Sequence, residues 1–164
     1  RMGTVRFDRP NGALAGATWR TTVIAETQTG NNWMVLVTGE ETGERVAIAE
    51  ACLGHGTESP RLIHSREDVY IYVLDGRLTI ERDGERFDRA AGSGLLLPRG
   101  SEHTLTVESP AARLLLAISP AGLERCLGEL EELEHAGSSE LHVERLVALA
   151  ARFGVAITGP ARAS

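Results

Sequence analysis

Short runs in which apolar and polar residues alternate follow one another from Trp33 to Ser119, and each run is bounded by glycine, proline or a polar cluster. Alternation with a period of two is typical of half-buried β-strands, and a regular series of short strands indicates a sandwich or barrel. The pattern therefore predicts a meander of antiparallel strands whose runs include WMVLVT, RVAIAEACL, VYIYVL, RLTIE, EHTLTVE and ARLLLAIS.

Two Asp-Gly pairs, Asp75-Gly76 and Asp83-Gly84, interrupt the middle of this series. Glycine adopts a positive φ without steric cost and aspartate tolerates it, so an Asp-Gly pair between alternating runs is a strong signal for a two-residue hairpin turn. The sequence predicts tight turns at both pairs.

Beyond Ser119 the apolar period changes to about 3.6 residues, as in amphipathic helices. The pattern predicts one helix with Ser119 as its N-cap and Pro120 at its first position, and a second helix that begins at Ser138 or Ser139 and ends at Gly154. The apolar stripe of the first helix comprises Leu123, Cys126, Leu127, Leu130 and Leu133.

These patterns predict a single domain in three parts. Residues 31–119 form the β-barrel, and residues 120–164 form a helical appendage packed on it. Residues 1–30 form an N-terminal arm with one predicted strand, from Trp19 to Glu26.

Charge and cysteine content restrict the function classes. The net charge of −6 and the pI near 5.4 argue against a surface that follows nucleic-acid phosphates. Cys52 and Cys126 match no metal-binding or redox spacing and are predicted to be buried thiols in a reducing compartment. No apolar run approaches the ~20 residues of a membrane span, and the start of the chain has no signal-peptide core. We expect a cytoplasmic protein without nucleic-acid or membrane partners.

Two histidines are predicted to point into the barrel. Strand parity places His64 on the same face of its strand as Leu62, and it places His103 on the same face as Leu105 and Val107. Because those neighbours are apolar, we expect both imidazoles to face the interior. The inward positions of the strand between them are Val69, Ile71 and Val73.

The spacing around these histidines resembles the two motifs of the cupin superfamily, in particular small single-domain bacterial cupins similar to the quercetin-dioxygenase-like group. The second motif, G-x5-P-x-G-x2-H-x3-N, is matched except for its final asparagine. The first, G-x5-H-x-H-x3-4-E-x6-G, keeps its second histidine and closing glycine. The matching residues are Gly92, Pro98, Gly100 and His103 in the second motif, with Val107 at the asparagine position, and His64 and Gly76 in the first.

The resemblance covers approximately residues 30–160 and implies a mainly β fold. This fold is the cupin double-stranded β-helix, a jelly-roll-like barrel or sandwich, with C-terminal α-helices. It also implies a degenerate metal site, because metal-binding cupins hold their ion with three histidines and a glutamate, and here Leu62 and Val69 stand at the first histidine and the glutamate.

Two neutral imidazoles supply neither the coordination number nor the charge that a divalent ion needs. Nearby carboxylates are poor substitutes, because Glu67 and Asp68 lie in the turn before Val69 and Glu102 is on the opposite strand face from His103. We therefore expect no cofactor. If a metal did bind, His64 and His103 would be its ligands.

We predict that His64 and His103 act as catalytic acid and base, because burial would keep at least one of them neutral and able to accept a proton at pH 7. The alternative is that they are leftovers of a lost site. Substrate-binding residues are predicted to be the apolar walls, with Trp33 at the barrel mouth and Arg61 beside His64, although a strand-start tryptophan can be ordinary core and a loop arginine a surface charge. The walls are Leu62, Val69, Ile71, Val73, Leu105 and Val107.

These expectations predict a small-molecule-binding cupin that converts a largely hydrophobic organic ligand without redox chemistry. The reaction class is isomerase, cyclase or dehydratase, within bacterial secondary metabolism. Two alternatives stay open: a metal-dependent dioxygenase with an atypical ligand set, and a non-catalytic ligand-binding sensor. Tyr70 and Tyr72 are predicted to face outward, against another sheet or a second subunit, and we expect a homodimer.

Overall fold

Two antiparallel β-sheets form the body of the protein in a computed structural model that describes residues 22–26, 32–134 and 140–160. In chain order the elements are β1 (Thr22–Glu26), β2 (Asn32–Val37), α1 (Gly39–Thr42), β3 (Ala47–Gly54), β4 (Arg61–His64), β5 (Asp68–Asp75), β6 (Arg77–Arg82), β7 (Glu85–Ala90), β8 (Gly94–Leu97), β9 (Glu102–Val107), β10 (Ala111–Ser119), α2 (Leu123–Glu134), α3 (Glu140–Arg152) and β11 (Val155–Gly159).

The strands divide into what we call sheet I and sheet II. Sheet I has the order β1-β2-β3-β10-β5-β8, and sheet II has the order β11-β4-β9-β6-β7. Both candidate histidines therefore belong to sheet II, on the neighbouring strands β4 and β9. The predicted mainly β fold with C-terminal helices is confirmed, and no helix among the residues described is long and apolar enough to cross a membrane.

The core lies between the two sheets and follows the predicted alternation. Burial alternates residue by residue along β3 and β10, which pair over eight residues, as expected for strands with one face toward a core. The largest fully buried side chains come from both sheets, and they are Leu78, Ile80, Leu114, Ile118, Val69, Val73 and Val107.

Both Asp-Gly pairs lie between strands, but only Asp83-Gly84 forms the predicted hairpin turn. Strand β5 belongs to sheet I and β6 to sheet II, so Asp75-Gly76 connects the two sheets, and the predicted meander of consecutively paired strands is wrong there. Asp83 and Gly84 both have positive φ, 51° and 83°, and connect β6 to β7 in a two-residue hairpin. Gly76, between β5 and β6, has a φ of 84°, and a Cβ atom there would lie 2.3 Å from the carbonyl oxygen of Ala111. The glycine that closes the first motif is thus required by both conformation and space.

The first C-terminal helix begins later than predicted. Ser119 is the last residue of β10, and its hydroxyl donates to the carbonyl oxygen of Arg45 (3.0 Å), so it cannot cap the helix. The carboxylate of Glu124 instead accepts from the backbone amides of Gly122 (2.6 Å) and Gly39 (3.2 Å). The predicted N-cap at Ser119 is therefore wrong, because its hydroxyl has a tertiary partner that the local sequence does not reveal.

A strand that the sequence analysis did not predict follows α3. Gly154, with a φ of 74°, ends the helix as predicted, and the chain then forms β11. This strand pairs antiparallel with β4, with Val155 opposite His64. The C-terminal segment thus returns to sheet II and covers the edge of the strand that carries His64.

The remaining C-terminal and N-terminal elements pack around the sheets. Helix α2 contacts β1 and β3, and α3 contacts α2 and β11. Strand β1 covers part of the strand predicted over residues 19–26 and pairs with β2. The rest of the predicted N-terminal arm, and the start of the second helix at residues 138–139, lie outside the described residues.

Candidate functional site

His64 and His103 meet on the inner face of sheet II. Leu62 lies directly opposite His103 across the β4–β9 pair, so His64, two residues further along β4, is a diagonal neighbour on the same face. The ring centroids are 4.7 Å apart and the rings are nearly perpendicular, at 87°. The exposed fractions are only 7% for His64 and 6% for His103. The structure thus brings together the two residues that the sequence analysis selected as acid and base.

Backbone contacts at the end of β4 fix this geometry. The amide of Gly100, a glycine of the second motif with a φ of 82°, donates to the carbonyl oxygen of His64 (2.7 Å). The amide of Ser65 donates to the carbonyl oxygen of Gly154 (2.8 Å), where β11 begins. His64 is therefore held between the loop before β9 and the strand that the C-terminal segment adds.

The tautomer of His103 follows from its hydrogen bond. Its Nδ1 atom lies 3.1 Å from the carbonyl oxygen of Ser101. A carbonyl oxygen can only accept, so we assign the proton of the neutral ring to Nδ1. The Nε2 atom then carries a lone pair and is the atom of His103 that can accept a proton.

His64 lacks such a partner. Its Nδ1 atom is buried and makes no hydrogen bond within the described residues. A buried polar atom without a partner costs about 1–3 kcal/mol, so proteins rarely keep one without a reason. No protein group among the described residues therefore fixes the protonation of this nitrogen.

Burial controls the charge of both rings. It lowers the pKa of His64 to about 4, with a further decrease from the positive charge that His103 carries when protonated. Burial also lowers the pKa of His103, although the hydrogen bond to Ser101 and the negative charges of Asp83 and Glu102 oppose this. Both imidazoles are neutral at pH 7, as a pair that accepts and donates protons requires.

The predicted apolar walls fall into two groups. Val69, Ile71, Val73 and Val107 are buried in the core between the sheets. Leu62 and Leu105 are half-buried, pack against that core and share the strands of the two histidines. Leu62 and Leu105 are thus partly accessible and lie on the strands of the two histidines. Contact of the four buried core residues with a ligand stays a prediction.

Trp33 and Arg61 lie in different environments. Trp33, on β2, is half-buried and packs against the core. Arg61 alternates with Leu62 on β4 and so faces outward, where its guanidinium pairs with Glu102 (3.2 Å) and Glu81 (3.5 Å). The structure does not bring Arg61 to the histidines, and the prediction that it binds substrate is not supported by this position. Local sequence could not reveal the two acidic partners, which come from β6 and β9.

Two features of the interior were not anticipated. Arg82, on β6, lies directly opposite His103 and therefore projects from the same face of sheet II. Glu67 is only 3% exposed, and its Oε2 atom has no hydrogen-bond partner among the residues described. The sequence contains a signal for Arg82. It is two residues after Ile80 on the strand that ends at the Asp83-Gly84 turn, so period-two alternation places both side chains on the same face. No comparable pattern in the local sequence indicates that the turn after β4 buries Glu67.

The residues of the site do not fit a metal ion. His103 Nε2 offers a lone pair, but no carboxylate joins it, because Leu62 and Val69 occupy the other ligand positions of the motif. Within the described part of the chain, no three His, Cys, Asp or Glu side chains lie close enough together to hold a metal. Two neutral imidazoles alone fall short of the three or more protein ligands of working sites.

Comparisons with known proteins agree with this fold. Residues 49–118 match the family described as Cupin domain. The chain is 31% identical over 85 residues to a protein named Polyketide synthase CurC from Streptomyces cyaneus, covering 51% of this chain and 55% of that protein. It is 32% identical over 81 residues to Quercetin 2,3-dioxygenase from Bacillus subtilis (strain 168), covering 49% of this chain and 24% of that protein.

The matched region thus spans about half of one relative and about a quarter of the other. Among solved structures, KdgF from Halomonas sp. is similar with a TM-score of 0.56 and 17% identity, over 62% of this chain and 88% of that one. At this identity the structural likeness concerns the fold alone.

Proposed function

From the premise that this chain contains a cupin domain, we propose that it binds a small, largely apolar organic molecule between its sheets and converts it by proton transfer. The observation that carries the proposal is the pair of buried, neutral histidines in contact on the inner face of sheet II. Isomerisation, cyclisation and dehydration all move protons without a change of oxidation state, so such a pair suffices for them.

The hydrogen bonds assign different roles to the two rings. His103 accepts a proton from the ligand at Nε2, while its Nδ1–H stays bound to the Ser101 carbonyl oxygen, which stabilises the imidazolium that forms. His64, with a pKa of about 4, stays neutral and acts through N–H donation to a ligand oxygen on which negative charge develops. His103 then returns its proton to a second atom of the ligand.

The class of ligand follows from the walls and the relatives. Leu62 and Leu105 flank the histidines with aliphatic surface, which favours a largely hydrophobic molecule. The similarity to a protein named Polyketide synthase CurC supports a place in bacterial secondary metabolism, where enolisable carbonyl compounds are natural substrates for this chemistry.

Hydrogen–deuterium exchange tests proton transfer without knowledge of the natural substrate. The purified protein is incubated in ²H₂O with a panel of uncharged aryl ketones, and loss of the signal of the C–H next to the carbonyl group is followed by NMR. We expect the wild-type protein to accelerate exchange for at least one compound. His103→Gln should lower that rate by about 10²–10⁴-fold, the usual contribution of a general base. His55→Gln changes an exposed histidine and serves as the matched control.

Three results would contradict the proposal. Undiminished exchange in the His103→Gln variant would remove the base. Exchange that a chelator abolishes and one equivalent of a transition metal restores would favour the dioxygenase-like alternative, for which the similarity to Quercetin 2,3-dioxygenase is the supporting observation. Absence of any exchange, together with a co-purified ligand that is recovered unchanged, would favour a non-catalytic sensor.

A further inference from the structure

We propose that the ligand of this site carries an anionic group, a carboxylate or an ionised phenol or enol, which Arg82 binds beside His103. The inference rests on the proposed function, since it names the charge of the molecule on which the histidines act. It depends on a cluster of three side chains on β6 and β7, namely Arg82, Phe87 and Arg89, which we call the arginine clamp.

Strand register places the arginine clamp on the inner face of sheet II. Arg82 is directly opposite His103, Phe87 is opposite Ile80 and Arg89 is opposite Leu78. Ile80 and Leu78 are buried core residues, so side chains opposite them project from the same face. The clamp therefore continues, across the sheet, the surface on which the two histidines lie.

The two guanidinium groups share one aromatic ring. The Arg82 Cζ atom lies 4.9 Å from the centroid of Phe87, and the Arg89 Cζ atom lies 5.3 Å from it. Arg82 Nη1 donates to the carbonyl oxygen of Leu96 (2.8 Å), and Arg89 Nε donates to that of Gly94 (2.9 Å). Both acceptors belong to β8, the edge strand of sheet I, so the clamp bridges the gap between the sheets.

Neither guanidinium of the clamp forms an ion pair within the described residues, although Glu85 lies opposite Arg82 in the β6–β7 register. Hydrogen bonds from Thr79 and Arg86 lower the pKa of the Asp88 carboxyl, and Arg89 is near enough to lower it further. The carboxylate of Asp88 faces the other way, where it accepts from Thr79 (2.9 Å) and Arg86 (3.1 Å).

Two half-buried cations that share a ring and donate only to neutral acceptors are a ready site for an anion. Arg82 uses one of its five N–H donors on Leu96, which leaves the rest of its planar fork for a bidentate contact with a carboxylate. Phe87 adds an aromatic face on which a planar ligand can stack. Because Arg82 is opposite His103 in the β6–β9 register, an anion bound there would lie on the same face of sheet II as His103.

A pair of isosteric probes tests the inference. Binding of 2-naphthoate and of its neutral amide, 2-naphthamide, is measured by isothermal titration calorimetry at pH 7. We expect wild-type protein to prefer the acid by about 10- to 100-fold, because hydrogen bonds to charged groups are worth that much. Arg82→Met should remove the preference and leave amide binding intact. Arg77→Met alters an exposed arginine on the same strand and should leave the preference unchanged.

Other outcomes separate this inference from the proposed function and from a merely structural role. Equal binding of the two probes to wild-type protein, or no binding of the acid, would overturn the inference and leave the exchange assay on uncharged ketones unaffected. The Arg82→Lys variant keeps the positive charge and should retain part of the preference for the acid. It provides a second test of the inference if the Arg82→Met variant does not fold. If the Arg82→Met variant still prefers the acid over the amide, the arginine clamp only covers the edge of β8 and does not bind the anion.

Discussion

Replacing His64 by leucine should remove most of the acid sensitivity that this histidine gives to the fold. In the folded protein its pKa lies near 4, below its ordinary value of 6.5, so the unfolded chain binds more protons between these two values. The contribution of His64 to stability is therefore complete above about pH 6.5 and is lost as the pH falls toward 4. Since one pKa unit corresponds to about 1.4 kcal/mol, the loss amounts to about 3 kcal/mol.

The leucine variant lacks this titration. At pH 7 it should be at least as stable as wild-type protein, because leucine also removes a buried nitrogen that has no partner. At pH 4 it should exceed wild-type stability by a further ~3 kcal/mol. Asp68 does not affect the difference between the two proteins, because both carry it. Arg99 lowers the pKa of its carboxyl from 3.8 to about 2, so its own contribution begins to fall only at the acid end of this range.

Urea unfolding at pH 7, 6, 5 and 4, followed by circular dichroism, measures the difference directly. The exposed residue His55, changed to glutamine, provides the control and should follow the wild-type curve. Parallel stability curves for wild-type and His64→Leu protein over this range would show instead that His64 titrates equally in the folded and unfolded states.

Three further predictions concern groups outside the histidine pair. Glu67→Gln should raise the free energy of unfolding at pH 7, measured in urea, because burial raises the pKa of Glu67 and penalises its charged form. The gain should disappear below the ordinary pKa of 4.5, and an unchanged difference at pH 4 would contradict this. Arg61→Met should leave exchange activity within about twofold of wild type, since its guanidinium pairs with carboxylates on the outer face; a loss like that of a histidine variant would contradict its placement. Leu96→Glu tests the predicted homodimer, because it places a charge on an exposed apolar face: Leu96 is 46% exposed and lies opposite Tyr70, which is 42% exposed. Light scattering should report a dimer for the wild-type protein and a monomer for the variant. The same mass for both proteins would exclude this face as the interface.

The sequence was most informative where local rules decide the structure. Period-two alternation predicted the strands, and Asp83-Gly84 predicted the β6–β7 hairpin, because burial of one sheet face and a positive φ leave few alternatives. The pair Asp75-Gly76 gave no sign that its two strands belong to different sheets. The same alternation predicted that His64 and His103 share the interior, and the pairing of Leu62 with His103 and the contact of the two rings agree with it.

Features that depend on distant partners could not be read in this way. Ser119 has the chemistry of an N-cap, yet its hydroxyl binds Arg45, far away in the chain. Arg61 has the charge to bind a ligand, yet Glu81 and Glu102 neutralise it on the outer face. Strand β11 forms because the edge of β4 offers unpaired backbone groups, which only the assembled sheet reveals.

The protonation of His64 and His103 is the most direct test of the account, and long-range ¹H–¹⁵N NMR of the imidazole nitrogens measures it. Both rings should be neutral at pH 7, the proton of His103 should be on Nδ1, and His64 should become charged only near pH 4. An imidazolium at pH 7, or a neutral His103 with its proton on Nε2, would contradict the account, because the ring would then have no lone pair facing the ligand.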